Sequence, residues 1–133
     1  MGVTQVSTKI RVLILDDEPI VGERLKASLE RAGFTVDAFS SSRDALTKLR
    51  EIQYDILVTD LKMSSPDGME VLRIAQQIRP GIKSVVITGF ATKASAEEAR
   101  QSGAVEFIAK PFKMSHLKDL LVKLAEGGGI AGE

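Results

Sequence analysis

Two hydrophobic patterns alternate five times along the chain. One is a short, nearly continuous run of apolar residues, which is typical of a strand covered on both faces in a parallel sheet. The other places apolar residues at helical spacing, first in a segment that begins at Pro19 and stops at Gly33. The apolar runs predict strands at residues 10–15, 34–38, 54–59, 84–88 and 105–109.

A helical segment follows each predicted strand. The second helix follows candidate N-caps at residues 40–42, and Ser95 and Glu98 have a capping-box spacing that would move the start of the fourth. This alternation predicts a single α/β domain, in which helices cover both faces of a doubly wound parallel sheet. The last three predicted helices span residues 68–79, 93–102 and 114–125.

Composition limits the classes of function. The 133 residues suit one compact domain, which we expect at 9–126, with flexible tails at 1–8 and at the Gly-rich residues 127–133. Lys plus Arg and Asp plus Glu number 18 each, and this balance argues against direct binding of nucleic acid. The absence of cysteine from the sequence excludes disulfides and Cys-based zinc or redox sites.

Hydropathy argues against a membrane protein. No apolar run approaches the roughly 18–20 residues that cross a bilayer. Residues 1–9 are polar and lack the apolar core of a signal peptide. We therefore expect a cytoplasmic domain, and a reducing cytosol suits a chain without cysteine.

Polar residues follow or end four of the five predicted strands. In doubly wound sheets, ligands bind at the carboxyl ends of the strands, so these side chains are expected to converge at one edge. The set comprises three carboxylates, a hydroxyl, a glycine and an ammonium group: Asp16, Asp17, Asp60, Thr88, Gly89 and Lys110.

This set favours phosphoryl chemistry with a metal ion. Close carboxylates repel one another unless a cation joins them, and their hard oxygens suit Mg²⁺. An oxygen of Asp60 can act as a nucleophile and form an aspartyl-phosphate. The Lys110 ammonium and the Thr88 hydroxyl can neutralise and hydrogen-bond the oxygens of the moving group, and Gly89 leaves open space beside them.

Each of these residues also has a simpler interpretation. An acidic pair after a strand often only caps a helix. On their own, Asp60 would be a turn residue, Thr88 a strand former and Lys110 a solvated lysine. The joint placement at the ends of neighbouring strands is what favours a site.

Four stretches make the chain resemble a response-regulator receiver domain, over about residues 9–125. They are VLILDDEP, DILVTDLKMSSPDGMEVL, VVITGF and VEFIAKPF. The resemblance implies a flavodoxin-like (βα)5 fold with strand order 2-1-3-4-5. It also implies a phosphorylation switch of two-component signal transduction.

The same resemblance assigns the acidic residues. The phosphoacceptor falls on Asp60. Asp17 would be the closer Mg²⁺ ligand, and Asp16 would act largely through a bound water. The backbone carbonyl of Lys62 would complete the protein ligands of the metal.

The resemblance also assigns the phosphate-binding and switch residues. Lys110 would bind the phosphoryl group, and its bond to Pro111 resembles the family's cis peptide. Thr88 is the switch hydroxyl and Phe107 the signalling aromatic. Thr88 would move toward the phosphoryl group while Phe107 rotates inward.

The implied partners are proteins. A phosphohistidine of a sensor histidine kinase or a phosphotransfer protein would donate the phosphoryl group. The face of the fourth helix, fifth strand and fifth helix would then bind an effector domain, a target protein or a second copy in a phosphorylation-dependent homodimer. The domain would phosphorylate and dephosphorylate itself without being a turnover enzyme.

The sequence departs from the family pattern at three positions. Ser64 replaces a frequent proline, and Pro66 follows two residues later, so the loop after Asp60 is expected to take a different path. Phe107 has no tyrosine hydroxyl, which leaves only a rotation driven by packing.

The third departure is Phe90, two residues after Thr88. Its ring either shields the site from attacking water or packs under the fourth helix. The amine of Lys62 lies at the rim of the site or is a bystander.

Three other functions remain open. A pseudo-receiver would bind partners without phosphorylation, although the complete acidic set with Thr88 and Lys110 argues against it. A metal-dependent phosphohydrolase would need a second acid near Asp60, where Leu61 and Lys62 follow instead. A flavodoxin-like cofactor binder is disfavoured because two acids after the first strand would repel a phosphate.

Overall fold

The computed structural model describes residues 10–63 and 66–126. Across these residues five parallel strands form one sheet in the order β2-β1-β3-β4-β5, which confirms the predicted fold class and strand order. The predicted tails at 1–8 and 127–133 and the departure at Ser64 lie outside the described residues. The strands are β1 (Arg11–Leu15), β2 (Thr35–Phe39), β3 (Ile56–Thr59), β4 (Lys83–Thr88) and β5 (Ala104–Ala109).

Helices alternate with the strands, close to the predicted positions. Among the described residues, no helix is long and apolar enough to cross a membrane. The helices are α1 (Pro19–Arg31), α2 (Ser42–Glu51), α3 (Gly68–Ile78), α4 (Lys93–Gln101) and α5 (Met114–Ala125).

The start of α4 differs from the Ser95–Glu98 capping box that its sequence spacing indicated. Thr92 is the N-cap, with an extended backbone, and Ser95 is the third helical residue. The Thr92 hydroxyl accepts the Ser95 N–H at 3.0 Å, and the Ser95 hydroxyl accepts the Thr92 N–H at 2.9 Å. A hydroxyl on Ser95 substitutes for the usual glutamate of a capping box, so Glu98 is not needed to close it.

The central strands of the sheet are buried on both faces. Side chains alternate along β1, so Leu13 and Leu15 join the cluster under α2, α3 and α4, while Val12 and Ile14 join the cluster under α1 and α5. All four are at most 1% exposed. This two-sided burial explains why β1 reads as an almost continuous apolar run, and it leaves the carboxyl edge of the sheet for polar residues.

The loop after β3 returns very close to its own start. The Gly68 N–H donates to the Leu61 carbonyl at 3.0 Å. A Cβ on Gly68 would lie 2.5 Å from the Leu61 Cα and would also overlap the Asp60 carbonyl oxygen. Glycine at 68 therefore lets the chain pass the backbone of Asp60 without displacing it.

We predict that Gly68→Ala lowers the free energy of unfolding by about 1–3 kcal/mol, because the added methyl group meets backbone atoms that cannot move aside. The matched control is Gly81→Ala, where a Cβ would meet nothing within 4 Å. Urea unfolding measures both variants. Equal stability of the two would contradict the close approach at Gly68.

Candidate functional site

The parallel sheet brings the ends of its strands to one edge. Asp16 follows β1, Asp60 follows β3, and Lys110 follows β5, while Thr88 is the last residue of β4. The Asp60 N–H donates to the Leu15 carbonyl at 3.1 Å, and the Lys110 N–H donates to the Thr88 carbonyl at 2.8 Å. These backbone bonds continue the pairing of the strands, so they fix where the functional side chains begin.

One ammonium group joins two buried carboxylates at this edge. Lys110 Nζ lies 3.0 Å from Asp16 Oδ2 and 3.0 Å from Asp60 Oδ2. The carboxylate side chains are 6% and 9% exposed, and the lysine side chain is 25% exposed. Burial alone would lower the pKa of Lys110, but the hydrogen bonds to both carboxylates outweigh it and raise the pKa above its usual 10.5. The lysine therefore stays charged at neutral pH.

The other oxygen of each carboxylate accepts a backbone N–H. Asp16 Oδ1 accepts from Glu18 at 2.9 Å, and Asp60 Oδ1 accepts from Lys62 at 3.1 Å. Both carboxylates are thus held by two donors each. This fixes the orientation of Asp60, whose oxygens still have lone pairs free for a further partner.

The acidic residues fit a hard divalent cation in chemistry and charge. Asp16, Asp60 and Lys110 together leave one negative charge uncompensated in a largely buried place, and Asp17 adds another beside it. Asp17 is exposed, and within residues 10–63 and 66–126 no three acidic, histidine or cysteine side chains are already grouped around a common point. The metal-ligand role that the resemblance implies for Asp17 would therefore need its side chain to turn inward.

Thr88 is fully buried at the end of β4. Its Oγ1 accepts the N–H of Phe90 at 3.1 Å. Between them, Gly89 leaves open space, since a Cβ there would meet nothing within 4 Å. The Thr88 hydroxyl is thus tied to the loop that leads into α4.

Phe90 does not pack under α4, and this one of its two sequence interpretations is wrong. The ring is 60% exposed. Lys62 Nζ lies 4.7 Å from the ring centroid, so the Lys62 amine contacts Phe90. The contact links the loop after β3 to the loop after β4, and such a cation–π pair is worth about 0.5–1 kcal/mol at an exposed position. The shared two-residue spacing from Asp60 and Thr88 was the only signal of it in the sequence.

The residues around β5 complete the edge. The Lys110–Pro111 peptide bond is cis, as the resemblance implied. Phe107 is partly buried and packs against the cluster under α2, α3 and α4. It also lines a cavity of about 200 Å³ between α4 and β5, together with Ala96 and Arg100.

Comparisons of the sequence and of the structure with known proteins identify the family of this chain. The profile of the family described as "Response regulator receiver domain" matches residues 12–122. The transcriptional regulatory protein ZraR of Salmonella typhimurium is 31% identical over 115 residues, which make up 86% of this chain and 26% of ZraR. The chain thus spans about a quarter of the length of that relative.

Two further matches cover most of both partners. The solution structure of the beryllofluoride-activated NtrC4 receiver domain dimer has a TM-score of 0.79 and 33% identity, over 86% of this chain and 93% of that chain. The chemotaxis protein CheY of Thermotoga maritima is 32% identical over 117 residues, which are 87% of this chain and 98% of CheY. With its strand order, its buried acidic edge and these matches, the chain belongs to the response regulator receiver domains of two-component signalling.

Proposed function

We propose that Asp60 accepts a phosphoryl group from the phosphohistidine of a sensor histidine kinase or a phosphotransfer protein, in a reaction that depends on Mg²⁺. The observation that carries this proposal is a buried Asp60 carboxylate held between the Lys110 ammonium and the Lys62 N–H. A carboxylate with a fixed orientation is a good nucleophile for in-line transfer, because positioning supplies much of the catalysis.

The transfer step needs only groups that are named here. An Asp60 oxygen forms a bond to phosphorus while the bond from phosphorus to the histidine nitrogen breaks, and the nitrogen keeps the electron pair. Lys110 already lies 3.0 Å from Asp60, so its positive charge is next to the oxygens of the incoming group. The Thr88 hydroxyl can donate to a third oxygen after the side chain turns.

Mg²⁺ would neutralise the oxygens of the phosphoryl group during transfer. The residues proposed to hold it are Asp17, Asp60 and the Lys62 carbonyl, with Asp16 acting through a water. The uncompensated negative charge at this edge supports the assignment. Asp17 is exposed beside it and can reach inward by rotation of its side chain.

The proposed output face consists of α4, β5 and α5. Phe107 lines the cavity of about 200 Å³ beside α4, and the proposed inward rotation of its ring would take place next to this space. Val105 on the same strand is 50% exposed and would be covered by a partner. We propose an effector domain, a target protein or a phosphorylation-dependent homodimer as that partner, since the related NtrC4 receiver is a dimer when activated by beryllofluoride.

The domain is proposed to work as a switch in the cytoplasm and not as a turnover enzyme. Leu61 and Lys62 follow Asp60, where a phosphohydrolase that uses an aspartyl nucleophile would need a second carboxylic acid. The net charge of zero favours output through proteins over direct binding of nucleic acid.

We predict that Asp60→Asn abolishes binding of beryllofluoride in the presence of Mg²⁺, because the amide supplies neither the charge nor the bridging oxygen. The control is Asp55→Asn, an exposed residue just before β3 that accepts the Arg11 N–H. ¹⁹F NMR of the bound fluoride detects the complex. Binding to Asp60→Asn with wild-type affinity would disprove the assignment, and the absence of Mg²⁺-dependent binding to the wild type would favour a phosphorylation-independent interaction module.

We also predict that Phe90→Ala shortens the lifetime of the aspartyl-phosphate about two- to fivefold, the range that corresponds to one exposed cation–π contact. The Lys62–Phe90 contact joins residues whose N–H groups bond Asp60 and Thr88, and we propose that it shields the aspartyl-phosphate from water that enters between those two loops. The decay of ³²P-labelled protein measures the lifetime.

The control for this prediction is a mutant cycle. If Lys62 and Phe90 act as one cover, Lys62→Ala, Phe90→Ala and the double variant lose lifetime to the same extent. Independent, multiplying effects would show that the two side chains do not act together.

A further inference from the structure

The two ends of α4 are held by different kinds of contact. Along Lys93–Gln101, all of which is described, Ala99 is the one buried residue, so packing anchors this helix weakly. At its C-terminal end, an Arg73 guanidinium nitrogen donates to the Ser102 hydroxyl at 3.2 Å and ties α4 to α3. Movement of α4 is therefore easiest at its N-terminal end, where polar contacts replace a buried side chain.

In the capping box at that end, the acceptor of the Ser95 hydroxyl hydrogen follows from the other bonds around it. The Ser95 hydroxyl oxygen accepts the Thr92 N–H, and the Thr92 hydroxyl lies 3.1 Å away and can donate to the same oxygen. The Ser95 hydroxyl hydrogen then has two carbonyls within reach, those of Phe90 and Thr92, each at 3.1 Å. Since the Thr92 carbonyl already accepts the Ala96 N–H, the Phe90 carbonyl is the better acceptor.

Phe90 is thereby bonded on both sides. Its carbonyl accepts the Ser95 hydroxyl, and its N–H donates to Thr88 Oγ1 at 3.1 Å. A continuous set of hydrogen bonds runs from the buried hydroxyl of Thr88, through the backbone of Phe90, to the first turn of α4. Phe90 contributes only its backbone N–H and carbonyl to this set, and its exposed ring takes no part in it.

We propose that Ser95 is a positioning residue, which holds Phe90 and thereby keeps the Thr88 hydroxyl bonded to the Phe90 N–H. This inference rests on the function proposed above, in which Thr88 turns toward a phosphoryl group on Asp60. Thr88 cannot make that movement without breaking its bond to Phe90 or pulling Phe90 away from Ser95. Ser95 therefore sets part of the cost of switching, and its release frees the N-terminal turn of α4.

The test compares two variants of the capping box in the full chain. Ser95→Ala removes both the cap and the bond to Phe90, whereas Thr92→Ala removes the hydroxyl that accepts the Ser95 N–H but keeps the Ser95 hydroxyl. Both are expected to lower the urea midpoint of unfolding. Only Ser95→Ala is expected to bind beryllofluoride with Mg²⁺ more tightly, about two- to tenfold, as one hydrogen bond fewer opposes the movement of Thr88. Ser95→Thr keeps a hydroxyl and is expected to restore the wild-type affinity.

Either of two results would overturn the role proposed for Ser95. Equal affinity of Ser95→Ala and wild type, or the same gain in Thr92→Ala, would mean that Ser95 is only a helix cap. If the wild type fails to bind beryllofluoride, the proposed function fails, and amide exchange in the unliganded protein then tests by itself whether Ser95 holds Phe90. Faster exchange of the Phe90 N–H in Ser95→Ala but not in Thr92→Ala supports that role of Ser95, and equal exchange rates in Ser95→Ala and the wild type overturn it.

Discussion

The ammonium group of Lys110, shared at 3.0 Å by Asp16 and Asp60, ties the end of β5 to the ends of β1 and β3, whose carboxylates would otherwise repel each other. Both carboxylates are buried, and two unscreened negative charges side by side would oppose the packing of β1 against β3. A buried ion pair of this kind adds little net stability, because taking the charges out of water costs about as much as their attraction returns. Its presence is better explained by chemistry, since it holds a charged carboxylate in a fixed orientation at the carboxyl edge of the sheet.

The strands and the loops of the fold hold this ion pair and its surroundings in different ways. The central strands β1, β3 and β4 are covered on both faces, and backbone pairing of the strands fixes the positions of Asp60 and Lys110. The loops after β3 and β4 carry contacts of lower energy, such as that of Lys62 with Phe90. Rigid strands with weakly held loops suit a switch, because a single local charge can move the loops without disturbing the core.

Much of this edge could be predicted from the sequence. Buried parallel strands read as apolar runs, and the parallel topology brings their carboxyl ends together, so Asp16, Asp60, Thr88 and Lys110 could be grouped before any coordinates were known. The strand order and the cis bond before Pro111 followed from the family resemblance.

Other features depend on loop paths that hydrophobic patterns do not encode. The exposure of Phe90 and its contact with Lys62 arise where two loops meet. The N-cap of α4 fell on Thr92 because Ser95 completes the capping box with a short side chain. Asp16 and Asp17 are neighbours in sequence, yet only Asp16 is buried against Lys110, and Asp17 is exposed in the bend that leads into α1.

The most direct test of the account is to locate the covalent phosphoryl group. The protein is incubated with acetyl phosphate and Mg²⁺, reduced with borohydride to trap the acyl-phosphate, and mapped by peptide mass spectrometry. The account predicts a single reduced residue at position 60, formed only when Mg²⁺ is present. Reduction at another carboxylate, or none at all under conditions where the protein remains folded, would contradict it.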